Sequence, residues 1–128
     1  MAAAEAHAVQ AILKTRGAPA HVVEAGAQGL LAGWRRFVEA VERGYTFGLD
    51  DYRNDLDLRT LIAATGLSPH VAEEDKRLRA LLVHTRQPVW ESDAADAFWV
   101  CGYPRNAGED LMTDLRAQGL APNDRCAR

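Results

Sequence analysis

The chain has 128 residues, 48% hydrophobic and 26% charged, with a formal net charge of −3. That length suits one globular domain able to bury a core without disulfides or metal, and the composition is that of an ordinary folded chain. The negative balance excludes a general basic footprint for nucleic acid, and no apolar run reaches the ~20 residues of a membrane helix.

Residues 3–16 form the first expected helix, with Val9, Ile12 and Leu13 on its apolar side and Gly17 as its stop. Pro19 restarts the chain, since proline suits a first helical turn. Residues 20–43 carry the clearest helical signal. Val23, Ala27, Leu30, Trp34, Phe37, Val38 and Val41 make one stripe, while Arg35, Arg36, Glu39, Glu42 and Arg43 lie mostly outside it. Trp34 and Phe37 are therefore expected to anchor the core. Arg35–Glu39 and Glu39–Arg43 are i,i+4 pairs worth about 0.2–0.5 kcal/mol each. Gly26, Gly29 and Gly33 fall on the flank of the stripe, each costing roughly 1 kcal/mol against alanine in a helix interior. They imply close approach of another backbone, or a break capped by Gly29; one bent helix is the favoured reading. The Gly-Ala-Gln-Gly run lacks a preceding strand and a phosphate-loop pattern.

Residues 44–48 make a turn, with Tyr45 and Phe47 expected to pack down over the helix end. The segment 46–62 is the most informative in the chain, because its apolar positions change phase. Leu49, Tyr52 and Leu56 fall on one side of a helical wheel, and Leu58, Leu61 and Ile62 fall nearly opposite. A surface helix has one apolar stripe, so this segment is either buried on two faces or broken near residues 54–55. In the second case Asn54 or Asp55 caps a further helix ending at Gly66. Asp50 and Asp51 sit in the first turn, where the macrodipole favours anions.

The fourth unit is well punctuated: Ser68 as N-cap, Pro69 in the first turn, and Glu73 and Glu74 near the positive end. Val71, Leu78, Leu81, Leu82 and Thr85 give it an apolar face as far as Pro88. Residues 89–103 admit two readings. Val89-Trp90 and Phe98-Trp99-Val100-Cys101 flank a polar stretch as in a β-hairpin; alternatively Ser92 caps a short helix stopped by Gly102. Four consecutive bulky apolar residues favour the hairpin. Finally, Asn106 to Glu109 resembles a capping box and leads through Leu111, Met112 and Leu115 to Gly119, with Leu120 placed for a C-cap contact. Residues 121–128 read as a frayed tail. The expected fold is mainly α: a single-domain bundle of about five to six helices over residues 1–128, with one short β-hairpin near residues 88–103.

No catalytic motif stands out. The densest chemistry is the set of four aspartates Asp50, Asp51, Asp55 and Asp57, with the neutral Asn54 among them, which gives an unbroken helix a negative patch. Like charges at this spacing cost a few tenths of a kcal/mol each. The plain structural reading is helix-start acids screened by Arg53 and Arg59; the functional one is a binding surface for a basic partner. A metal site is disfavoured, because the EF-hand glycine and terminal glutamate are absent and no paired His/Glu spacing accompanies the acids. No metal and no cofactor is expected.

A second constellation is aromatic. Trp90, Trp99 and Tyr103, joined by His84 and Arg105, are expected to edge a ligand pocket. Cys101 and His84 form a conceivable nucleophile–base pair, with no family signature around the cysteine. With Cys126, the count of two cysteines is too low for a disulfide framework or a cysteine-rich zinc site, and reduced thiols are expected.

Two classes of function fit this pattern. The first is a non-catalytic interaction or regulatory protein whose acidic helical surface binds a protein partner or a second copy of itself as a homodimer. The second is a small-molecule-binding protein or enzyme with an aromatic and arginine-lined pocket around Trp90, Trp99, Tyr103 and Arg105. The absence of a catalytic signature favours the first. Neither nucleic acid nor membrane is an expected partner. The first residues lack a basic start and a long apolar run, so cytoplasmic location is expected. The dominance of arginine over lysine (only Lys14 and Lys76) and the abundant alanine suit a GC-rich bacterial genome.

Overall fold

The computed structural model describes residues 3–122. Five helices are built in chain order: α1 (Ala3–Thr15), α2 (Ala20–Arg43), α3 (Leu49–Ala64), α4 (Ala72–Leu81) and α5 (Glu109–Ala117). A 3₁₀ turn, Ser68–Val71, leads into α4, and a second, Phe98–Cys101, precedes the strand β2 (Gly102–Pro104). That strand pairs antiparallel with β1 (Leu82–His84) in the register Leu82–Pro104, Val83–Tyr103 and His84–Gly102. The protein is thus mainly α with one small two-stranded sheet.

Three helices end in the same way for the same local reason. Gly17, Gly66 and Gly119 have φ of 77°, 76° and 72°, a left-handed conformation that side-chain-bearing residues resist. The amides just after them turn back onto the helix, Ala18 to the Leu13 carbonyl, Leu67 to Ile62 and Leu120 to Leu115, at 2.8–3.0 Å. These are the stops the glycines announce in the sequence. Packing continues past the last of them, since Ala121 is buried; residues 123–128, including Cys126, lie outside the described residues.

Helix α2 is the hub, packing against α1, α3 and α4. Every residue of its expected stripe is buried, and Trp34, Val38 and Val41 are completely so. The bend falls at Gly26 rather than Gly29: with φ 60° and ψ −148° it interrupts the helical course. Gln10 of α1 donates from Nε2 to the Val23 carbonyl at this break, 3.1 Å away. The other two glycines answer to crowding: a Cβ on Gly29 would collide with Ala25, and one on Gly33 would stand 3.0 Å from Leu58 Cδ2 of α3.

Below the bend an aromatic cluster joins α2 to Tyr45 and to α3. Phe37 lies 4.9 Å from Trp34, 5.7 Å from Tyr45 and 6.0 Å from Tyr52, ring centre to ring centre, distances at which aromatic pairs add about 0.5–1.5 kcal/mol each beyond burial. Tyr52 also donates its hydroxyl to the Gly102 carbonyl (2.8 Å), tying α3 to β2.

Several local expectations are corrected. Helix α4 stops at Leu81, not near Pro88, because residues 82–84 leave the helical path to pair with β2. Residues 98–101 form a 3₁₀ turn rather than a strand, so the hairpin arms lie outside the expected apolar runs. Ser68 does not cap a helix; its Oγ accepts instead from Arg59 Nη1 (3.1 Å). The capping box at residues 106–109 does not form: Gly108 is the N-cap, and Asn106 donates to the Val41 carbonyl at the end of α2 (2.6 Å).

Candidate functional site

Helix α3 runs unbroken from Leu49 to Ala64, so neither Asn54 nor Asp55 starts a new helix. The phase change is resolved by burial on two sides. Leu49, Tyr52, Leu56 and Ile62 are buried, Leu58 and Leu61 are half-buried, and α2, α5 and the turn 98–101 all pack against this helix. Its amino end is held by α5: Asp114 Oδ2 accepts from the Leu49 amide at 3.1 Å, replacing a side-chain cap from Gly48.

This placement divides the four aspartates and Asn54 among three surroundings. Asp50, Asp51 and Asn54 are exposed on the solvent side of the first two turns. Asp55 turns inward, accepting from the Tyr45 hydroxyl at 2.7 Å. Burial holds the Asp55 carboxyl above the usual carboxylate range; the Tyr45 hydrogen bond opposes this and the Asp51 charge adds to it. Burial raises the Tyr45 hydroxyl too, with Asp55 adding to the shift, so the phenol stays the donor. Asp57 is exposed farther along, beside a groove that contains Trp90.

Nor do Arg53 and Arg59 screen these acids. Arg53 donates to the Val89 carbonyl (3.0 Å) and to Gln118 (3.1 Å), with its guanidinium 5.6 Å from the Trp90 ring centre. Arg59, 4% exposed, points into the core. It grips Asp75 of α4 through Nε (3.0 Å) and Nη2 (2.7 Å). Trp34 Nε1 donates to the same carboxylate (3.0 Å), and the guanidinium lies 4.5 Å from the Trp99 ring centre. This buried network joins α2, α3, α4 and the turn 98–101, and residue spacing alone does not pair its two charges. Its signal was present: Asp75 falls between Val71 and Leu78, and Arg59 comes after Tyr52 and Leu56, so each charge lies in an apolar stripe. Removing a charge from water is costly without a partner, so two such residues are expected to find each other.

The aromatic constellation is not gathered around one cavity. Trp99 is buried beneath Arg59, contrary to its expected place at a cleft edge, and Tyr103 is buried in β2. Trp90 is 37% exposed in the groove beside α3. His84 lines a different depression with Arg86, Gln87 and the residues 119–122 that follow α5, and Arg105 is exposed. Strand register brings His84 opposite Gly102, next to the half-buried thiol of Cys101, yet no hydrogen bond joins the two side chains. Among the described residues no group of three His, Cys, Asp or Glu side chains is arranged to hold a metal ion, and no helix is long and apolar enough to cross a membrane.

At the acidic end the aromatic pair beside α3 splits. Tyr45 packs down as expected, 1% exposed, but Phe47 does not: it is 55% exposed. Its ring stands edge-on to Tyr45, 5.7 Å between centres. Tyr45 is itself fixed by Asp55, by the Phe37 and Tyr52 rings, and by the Gly108 amide, which donates to its carbonyl at 2.6 Å. A large apolar ring is thus presented to solvent on an ordered base, directly before Asp50, Asp51 and Asn54. The chain matches no protein-family model, and comparisons with curated proteins and with solved structures find no match.

Proposed function

We propose that this is a non-catalytic interaction protein that binds a basic surface of another protein through Phe47 and the acidic start of α3. The observation that carries this reading is Phe47, 55% exposed just before the exposed Asp50 and Asp51, neither of which has an ion-pair partner among the described residues, with Asn54 exposed one turn farther on. An apolar anchor inside a polar rim is the usual anatomy of a binding surface. The α5 carboxylate of Asp114, at the N-terminus of α3, extends the negative rim. A two-fold self-contact centred on this face would bring its aspartates close to their own copies, and like-charge contacts of that kind cost several kcal/mol. The partner is accordingly a different, basic protein.

Affinity capture from the native cell with wild-type protein and with Phe47→Ser tests this. Phe47 is 55% exposed and its ring meets only Tyr45 edge-on, so the substitution should cost about 0.5–1.5 kcal/mol and leave the domain folded. A partner retained by the wild type should be lost by Phe47→Ser, and its association with Asp50→Lys/Asp51→Lys should slow and lose salt dependence. A partner bound equally by all three proteins overturns the proposal.

A further inference from the structure

A second surface stands on different residues. Between the middle of α3 and the chain after β1 runs an open groove lined by Asp57, Thr60, Trp90, Glu91, Ser92 and Asp93, with Arg16 at its rim. Its base is ordered: Thr60, 4% exposed, donates to Ser92 Oγ (2.9 Å), which also accepts from the Ala94 amide (3.1 Å). Trp90 is, with Phe47, one of the two large hydrophobic side chains exposed among the described residues.

The groove already accommodates guanidinium groups of this chain at its edges. Arg16 reaches both oxygens of Asp93 at 3.2 Å, and Arg53 lies 5.6 Å from the Trp90 ring centre. Two carboxylates remain: Asp57 and Glu91 are exposed and make no hydrogen bond or ion pair among the described residues. Asp57, Glu91 and Asp93 outnumber the two guanidiniums at the groove, Arg16 and Arg53, and leave it negative, while Trp90, with Arg53 near its ring, stays 37% exposed and offers apolar contact.

We infer that this groove receives an arginine side chain of a partner polypeptide, its guanidinium paired with Asp57 and Glu91 and its methylene stem laid on Trp90. Arginine fits better than lysine, because a planar, weakly hydrated guanidinium stacks on an indole while offering several donors to carboxylates. The inference shares with the Phe47 surface only the need for a polypeptide partner, so either can fail alone.

The test titrates the blocked tripeptides Gly-Arg-Gly and Gly-Lys-Gly into the full chain at low salt, following the indole Nε1–H resonances by NMR. The expected result is a saturable shift confined to the Trp90 resonance, with Gly-Lys-Gly binding more weakly. Asp57→Asn/Glu91→Gln should weaken Gly-Arg-Gly binding roughly fivefold or more, as two exposed ion pairs allow, and about 0.5 M salt should reduce it similarly. Phe47→Ser should bind the tripeptide like the wild type, which separates this site from the other. No saturable shift, equal binding of the two tripeptides, or unchanged binding by the double variant would overturn the inference.

Discussion

Asp75→Ala probes the buried network most directly. The Asp75 carboxylate accepts three hydrogen bonds, from Trp34 Nε1 at 3.0 Å and from Arg59 at 3.0 and 2.7 Å. Its removal strands the Arg59 guanidinium, 4% exposed, with Ser68 Oγ (3.1 Å) and the Trp99 ring as its remaining contacts. It also leaves the indole N–H of a fully buried tryptophan without its acceptor. Each hydrogen bond to a charged group contributes about 1.5–3 kcal/mol. These contributions are not additive, and breaking one partner out of a buried pair costs about 3–5 kcal/mol as a whole. Against a typical domain stability of about 5–15 kcal/mol, that is a large fraction. Urea denaturation should show it as a lower midpoint with an unchanged slope. Replacing both charges, Arg59→Met/Asp75→Leu, should recover much of the loss, because no unpaired ion remains. A loss below about 1 kcal/mol for Asp75→Ala, or a double variant as unstable as the sum of its two singles, would refute the reasoning.

Trp34→Ala should cost about 3–5 kcal/mol by cavity formation; a loss under about 1 kcal/mol would mean the ring does not anchor the core. Gly26→Ala should destabilise by about 1–3 kcal/mol, because φ 60° with ψ −148° is strained for any side-chain-bearing residue. A gain in stability, as for glycine to alanine in a regular helix, would show that α2 has no break there. For Asp55, burial raises the folded-state pKa above the unfolded one, so the native state binds more protons and this group's contribution falls as pH rises from the ordinary carboxylate range through the folded value. Across that window the wild type should gain stability on acidification relative to Asp55→Asn; a difference that does not vary with pH there would count against the buried carboxyl.

The features legible in the sequence are those that neighbouring residues decide. Glycine tolerates the left-handed conformation that ends α1, α3 and α5, so Gly17, Gly66 and Gly119 mark those ends without reference to the rest of the chain. The stripe from Val23 to Val41 likewise names the buried face of α2, and the phase change at residues 49–62 narrows α3 to a helix with neighbours on two sides or a helix broken near residues 54–55, a choice that only packing decides. Spacing could not say which neighbours. Leu78, Leu81, Leu82 and Thr85 keep helical spacing, so periodicity extends α4; pairing with Gly102–Pro104, some twenty residues on, is what turns Leu82–His84 into a strand. A run such as Phe98–Cys101 must be buried, but burial alone does not separate a strand from a tight turn. The candidate sites show the same division. That the aspartates of α3 form one patch comes from their spacing, but that Asp55 turns inward to Tyr45 while Asp50, Asp51 and Phe47 stay exposed is decided by packing. Arg59 and Asp75 each betray themselves as charges in apolar stripes, yet their meeting depends on α3 and α4 both packing around Trp34. Local backbone geometry is set within one helical turn; contacts across the bundle are set by which shapes and charges can share the same buried volume.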